Sequence, residues 1–312
     1  MFLLLWQIWR GQLNVLEIRK ALGNDLLRSN QLIKTLRLEQ RYLTDLVVGF
    51  MDKIPPADFS PLSFFGRKRY EAHQRVVSFA RAVNDSRIRE LYLEQIFPGI
   101  GQVKVPLGAV NEVTLHPNKV DMLYVCAVAH HKGARRAFEF GTYMGRTTYH
   151  LAKTSPEMEV TTLSISPDKD PLFGPFLGKF FKGRPEAARI KLLLQDSRDF
   201  DPAPYKGMFD VVFVDGDHSY ELVKNDTLKA FQLLKKGGVI LWHDYAPKSP
   251  GLVQFFKEFT QERPLFRIKH TCLLLHIDGM DPLAFEPAPM EATLEGKFYE
   301  ETPDYVQELY HL

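Results

Sequence analysis

Apolar residues between Leu22 and Phe50 recur at Leu22, Leu26, Ile33, Leu36, Leu43, Val47 and Phe50, with polar Ser29 and Gln40 in the same register. A spacing of about 3.5 residues predicts a long amphipathic helix that needs a partner surface. Two partners fit the pattern equally: a second copy of the chain, or the helix's own domain. Pro55, Pro56 and Pro61 break the pattern, and a second helical stretch is expected from Arg67 to Phe97, ending at Pro98 and Gly99.

Beyond Pro117 the period changes. Asn118 to Ala129 and Arg146 to Lys153 read as helices, and Tyr220 to Lys236 reads as a third that stops at Gly237-Gly238. Short apolar runs at 134–140, 160–165, 190–194, 209–214, 239–242, 266–270 and 272–277 read as strands. Strands alternating with helices predict a Rossmann-like, doubly wound α/β fold with a mostly parallel seven-stranded sheet. The last two strands are nearly contiguous, so they must form a hairpin, and the last strand runs antiparallel. The expected organisation is a helical N-terminal region at 1–110, an α/β domain at 111–280 and an acidic tail at 281–312.

Composition changes this picture little. The chain of 312 residues carries a net charge of +2, which predicts no nucleic acid or other polyanion as obligatory partner. Cys126 and Cys272 stand alone in apolar stretches, so neither a disulfide framework nor a zinc set is expected, and a reducing cytoplasmic compartment follows. The apolar run Met1 to Trp9 lacks a basic leader region and is far short of the ~20 residues that span a bilayer. No secretion signal or transmembrane anchor is expected.

The candidate chemistry lies at the carboxyl ends of the strands, where open parallel sheets bind ligands. The first of the seven runs ends Glu139-Phe140-Gly141-Thr142-Tyr143-Met144-Gly145. Gly141 permits a sharp turn with no side chain toward a ligand, and Gly145 permits close packing of the next helix. Glu139 would repel a pyrophosphate and suits a ligand with sulfonium and ammonium charges. Asp196 and Ser197 follow the third strand, placed to accept from an adenine amino group.

Asp215, at the end of the fourth strand, is followed by Asp217, His218 and Tyr220, while the fifth strand delivers His243 and Asp244. Neighbouring strand ends lie about 5 Å apart. Asp215, His243 and Asp244 are therefore expected to converge on a divalent cation, Mg²⁺ or Mn²⁺. His218, with an ordinary pKa near 6.5, is the candidate base. Each residue also has a plainer role, since Asp215 and Asp217 are well placed to cap the helix near Tyr220. The segment from Asp168 to Pro185, with Leu172, Phe173, Phe176, Leu177, Phe180 and Phe181 among three glycines, reads equally as a lid over the site and as an amphipathic helix packing on the core or at a subunit interface.

Glu139 to Gly145, Asp196-Ser197, Asp215 to Tyr220 and His243-Asp244-Tyr245 together carry a resemblance. From Asn111 to about Gly279 the chain resembles the class I methyltransferases of the cephalosporin-hydroxylase and sugar O-methyltransferase (methyltransferase 24-like) type. The resemblance implies S-adenosylmethionine held by Glu139, Gly141, Thr142, Tyr143, Gly145, Ser164, Asp196, Ser197 and Asp215. It also implies a divalent cation at Asp215, His243 and Asp244, with His218 as base for O-methylation of a small hydroxylated acceptor, glycosyl or phenolic. In one departure, Ser164 stands where the family has an acid for the ribose hydroxyls, and Asp168 is the nearest carboxylate available to compensate. The competing readings are a non-catalytic scaffold on the same fold, assembled as a homo-oligomer through the N-terminal helices, and a metal-using hydroxylase-like relative.

Overall fold

A computed structural model of the chain describes residues 75, 78–79, 81–83, 85–108, 118–171 and 174–286. The Met1–Trp9 run, the Leu22–Phe50 helix and the tail beyond residue 286 lie outside the described residues. The elements in chain order are β1 (Ile88–Leu91), α1 (Leu93–Ile96), α2 (Asn118–His131), β2 (Arg136–Phe140), α3 (Arg146–Lys153), β3 (Glu159–Ser164) and β4 (Ile190–Leu194). Then come β5 (Phe209–Val214), α4 (Tyr220–Leu233), β6 (Leu234–Trp242), α5 (Pro250–Phe259), β7 (Leu265–Ile268) and β8 (Leu274–Ile277).

The strands form one sheet in the order β1-β7-β8-β6-β5-β2-β3-β4. Pairing is parallel except around β8, which runs against both β6 and β7. The sheet is thus doubly wound with one reversed strand, as the alternation of periods predicts, but among the described residues it has 8 strands rather than seven. The extra strand is β1, within the stretch expected to be helical. Its backbone pairs in parallel with the open edge of β7, and Glu90 accepts an ion pair from Arg267 at 2.9 Å. Edge pairing satisfies a row of β7 backbone groups that would otherwise remain open, which outweighs helical propensity over so short a run. A second boundary also shifts. Helix α4 ends at Leu233, before the two glycines, because Leu234 already pairs with Phe209 on β5.

Alternation across the strands fills both faces. Ala137, Val211, Phe213, Val239 and Leu241 face one cluster with α2 residues Val125, Cys126 and Ala129. Phe138, Phe140, Val212, Val214, Ile240 and Trp242 face the other, with Val223, Ala230 and Leu233 from α4 and Leu252, Phe255 and Phe256 from α5. A sheet covered on both sides needs nearly continuous apolar strands, as β5 and β6 show. Trp242 is fully buried, and its indole N–H donates to Thr227 Oγ1 at 3.0 Å, so the indole nitrogen is not stranded in that core.

Candidate functional site

Register determines which residues meet. Phe140 stands opposite Val214, and Val214 opposite Trp242, so β2, β5 and β6 end in line. The ladder continues one step past each strand. The Asp215 amide donates to the Phe140 carbonyl at 2.9 Å, the His243 amide to the Val214 carbonyl at 3.1 Å, and the Gly141 amide to the Leu163 carbonyl at 2.9 Å. Strand order reverses between β2 and β5, the place where such sheets open a crevice.

A cavity of about 540 Å³ lies there. Of the residues singled out in the sequence, Gly141, Tyr143, Ser164, Leu177, Asp196, Ser197, Asp215 and Asp217 line it, and Asp170, Gln195, Arg198 and Asp226 join them. Five carboxylates against one guanidinium give a wall suited to a cationic ligand. Glu139, Thr142 and Gly145 are not among the lining residues. Glu139 is only 2% exposed and accepts hydrogen bonds from Thr148 and from Thr162 Oγ1, the latter at 2.7 Å; Thr162 also contacts Thr142 Oγ1 at 2.7 Å. Burial pushes the Glu139 carboxyl up to about 8, against the two threonine hydroxyls.

The two glycines are required by close approach of protein to protein. At Gly141 φ is +94°, and a Cβ would lie 2.1 Å from the Asp215 carbonyl oxygen. This glycine therefore sets how near the Asp215 loop comes to the loop after β2. At Gly145 a Cβ would meet the Phe181 ring at 2.5 Å, so what packs there is the 168–185 segment. That segment is a series of tight turns rather than one helix, with 3₁₀ turns at Pro167–Lys169 and Gly174–Phe176. It is tied to the glycine loop by Gly178 N–H to Tyr143 O at 3.0 Å and Phe180 N–H to Met144 O at 2.9 Å.

Asp196 is held by Arg198 Nε at 3.0 Å and Nη2 at 2.6 Å, and these bonds draw its carboxyl down to about 2. Ser197 accepts from Asn225 Nδ2, through its carbonyl at 3.1 Å and its hydroxyl at 3.4 Å. Asp217 accepts from the Ser219 amide at 2.7 Å, so it shapes the entry to α4 as well as the cavity wall.

Beside the cavity, Asp215, His218 and Asp244 bring one ligand-capable atom each within 4.8 Å of one another. His218 Nε2 lies 2.9 Å from Asp244 Oδ2, and Lys248 Nζ lies 2.8 Å from Asp244 Oδ1. Neither His218 Nε2 nor Asp244 Oδ1 makes an aligned hydrogen bond, although both are buried. The carboxylates of Asp244 and Asp215 fit a hard divalent cation, and the His218 imidazole stands beside them as a further ligand or as a base.

His243 has a different environment. It is 5% exposed, with Nδ1 at 3.0 Å from Asp215 Oδ1 and 3.4 Å from Asp244 Oδ1, and Nε2 at 3.2 Å from Asp121 Oδ2. Burial opposes a charge on the ring, yet Asp215, Asp121 and Asp244 raise its pKa well above the usual histidine value. His218 is raised by Asp244 against the cost of burial. Asp244, despite burial, is held well below the usual carboxylate range by His218, His243 and Lys248. Sequence reasoning missed Asp121, Asp170 and Lys248. Asp121 sits in the first turn of α2, where an acid is ordinarily explained by the helix dipole alone.

Residues 138–245 match the family described as "Methyltransferase domain". No curated protein matches the chain. Among solved structures, the chain is similar to the SAH-bound methyltransferase PaMTH1 of Podospora anserina, at 18% identity over 52% of this chain and 79% of that one, with a TM-score of 0.41. It is similar to the O-methyltransferase TomG of Streptomyces achromogenes in complex with SAM, at 16% identity over 59% of this chain and 96% of that one, TM-score 0.42. It is also similar to the O-methyltransferase of Bacillus cereus in complex with SAH, at 17% identity, 55% and 84% coverage and a TM-score of 0.40.

Proposed function

We propose that the chain, whose residues 138–245 match the family described as "Methyltransferase domain", is a class I, S-adenosylmethionine-dependent methyltransferase that transfers a methyl group to a hydroxyl of a small molecule with the help of a divalent cation, magnesium or manganese. One observation carries the reading: Asp215 both lines the cavity and belongs to the Asp215–His218–Asp244 cluster. A cofactor in the cavity and an acceptor at the cluster would therefore adjoin.

Asp215 and Asp244 would hold the cation, with His243 clamped against both carboxylates and fixing their directions. Bound there, a divalent cation supplies Lewis acidity that lowers the pKa of a coordinated hydroxyl. His218 takes the hydroxyl proton at Nε2, which its contact with Asp244 keeps aimed into the cluster. The displacement itself is in line, with the carbon–sulfur bond breaking as the carbon–oxygen bond forms, so most of the protein's contribution is positioning. Gly141, Ser164, Asp196 and Ser197 would seat the cofactor, and the acidic wall suits its sulfonium and ammonium charges. Tyr143, 54% exposed and on the cavity wall, offers a flat face to a phenolic or glycosyl acceptor.

Calorimetry with S-adenosylmethionine and S-adenosylhomocysteine, with and without Mg²⁺ or Mn²⁺, tests the cofactor part, and an acceptor screen scored by stoichiometric methyl transfer tests the reaction. Micromolar binding with transfer abolished by chelator is the expected result. An absence of binding under every condition would transfer the assignment to a scaffold assembled through the N-terminal region, which light scattering would register as a homo-oligomer.

A further inference from the structure

Both carboxylate oxygens of Asp244 already face a nitrogen of the chain itself. Oδ2 lies 2.9 Å from His218 Nε2, and Oδ1 lies 2.8 Å from Lys248 Nζ. Oδ1 also lies 3.4 Å from His243 Nδ1, the atom that Asp215 Oδ1 meets at 3.0 Å. A cation held by Asp215 and Asp244 together is therefore drawn to the oxygen against which the Lys248 ammonium stands.

A turn makes this contact, not helical periodicity, because residues 243–249 precede α5 and are not helical. The turn closes with the Ser249 amide donating to the Ala246 carbonyl at 3.0 Å. Its start is anchored by the fully buried Tyr245, whose amide donates to the Cys272 carbonyl at 3.0 Å, and its end by the buried Ser249. The backbone of Lys248 is thus fixed on both sides, while its side chain is 52% exposed against 9% for that of Asp244. The pair is asymmetric. A compact ammonium on a four-carbon stem can return to water at little cost, whereas a buried carboxylate left without a counter-ion is expensive. The partner that can leave is the one that a divalent cation would replace.

We propose that Lys248 is the internal counter-ion of the cation site: its ammonium neutralises Asp244 when no divalent cation is bound, is displaced when one binds, and thereby sets the affinity for that cation. The proposal rests on the cation reading given above. Two cations in contact with one carboxylate oxygen repel each other, so one must leave. Displacing an ammonium from a carboxylate, with one partner open to solvent, corresponds to about 5-fold in affinity. The plainer role of the same pair is to hold the turn, in which case the charge of Lys248 matters to stability and not to cation binding.

The test is Mn²⁺ binding to the full chain, followed by loss of the free-ion paramagnetic resonance signal. Lys248→Met keeps an apolar stem without the charge, and Lys248→Gln keeps a donor for Asp244 as well. Both should bind Mn²⁺ about 5-fold or more tightly than the wild type, a gain that misfolding would not produce. In an Asp244→Asn background, where the contact is already gone, Lys248→Met should bring no gain. Affinity unchanged or weakened in both neutral variants overturns the proposal and leaves the cation reading standing. A gain of full size in the Asp244→Asn background also overturns it, since the charge then acts from a distance. Binding by a neutral variant but not by the wild type upholds it. An absence of Mn²⁺ binding by the wild type and both neutral variants overturns the cation reading and the proposal with it.

Discussion

His243 and Asp215, each one residue past a different strand, meet with Nδ1 and Oδ1 3.0 Å apart, and Nε2 of the same imidazole lies 3.2 Å from Asp121 Oδ2. The ring thus separates carboxylates from β5, β6 and α2 at one buried point. Removing it leaves the buried Asp121 without its ion pair and facing Asp215, while Asp244 keeps Lys248 and His218. Breaking a buried ion pair from one side costs about 3–5 kcal/mol. His243→Phe should lower stability by that order in urea denaturation, and adding Asp121→Asn should recover part of the loss by removing one stranded charge. An unfolding midpoint unmoved by His243→Phe would show that the ring is not what balances these acids.

Gly141 and Gly207 both have positive φ, at +94° and +66°, but only at Gly141 would a Cβ meet backbone, 2.1 Å from the Asp215 carbonyl. Gly207→Ala should cost about 1 kcal/mol, from backbone conformation alone. Gly141→Ala should cost about 2 kcal/mol or more, because overpacking adds to conformational strain. It should also abolish S-adenosylhomocysteine binding, since the loop carrying Asp215 must move. Equal melting temperatures for the two variants would mean that the loops after β2 and β5 can separate without consequence.

Burial pushes Glu139 up to about 8, whereas a glutamate in the unfolded chain titrates near about 4.3. Between those values the folded protein keeps a proton that the unfolded chain releases, so stability falls as pH rises through the window and levels off above it. The slope from this one group is at most about 1.4 kcal/mol per pH unit. Glu139→Gln keeps an acceptor for Thr148 and Thr162 and removes the titration. Its urea midpoint should decline less than that of the wild type between pH 5 and pH 8. Parallel pH profiles for the two proteins would show that Glu139 is ionised in the folded state throughout.

What was legible in the sequence followed from local pattern. Apolar runs between glycine turns located β2, β4 and β5, and residues just past apolar runs located Gly141, Asp215 and Asp244. What was not legible depended on distant pairing. The four-residue β1 has no strong period of its own and is a strand because β7 offers an edge. Asp121 reaches the site because α2 packs on one face of the sheet, and it binds both His243 and the Cys272 amide, the latter at 3.0 Å. Spacing alone placed His243 and Asp244 at one strand terminus but carried no sign of which way each would turn. That direction comes from φ +61° at Asp244, an αL residue that swings its carboxylate toward His218 and Lys248.

The same dihedral makes Asp244 an informative position to change. Asparagine tolerates the left-handed region nearly as well as aspartate, whereas alanine there pays about 1–2 kcal/mol. Asp244→Asn therefore removes the charge that faces His218 and Lys248 while leaving the backbone in place. Asp244 does not line the cavity, so affinity for S-adenosylhomocysteine should remain within the wild-type range. Cation-dependent methyl transfer should fall by about 100-fold or more, the loss expected when an electrostatic group at the reacting centre is removed. Asp244→Ala should show the same catalytic loss together with a lower melting temperature. Full cation-stimulated transfer by Asp244→Asn would remove Asp244 from the cation site and leave Asp215 as its remaining carboxylate.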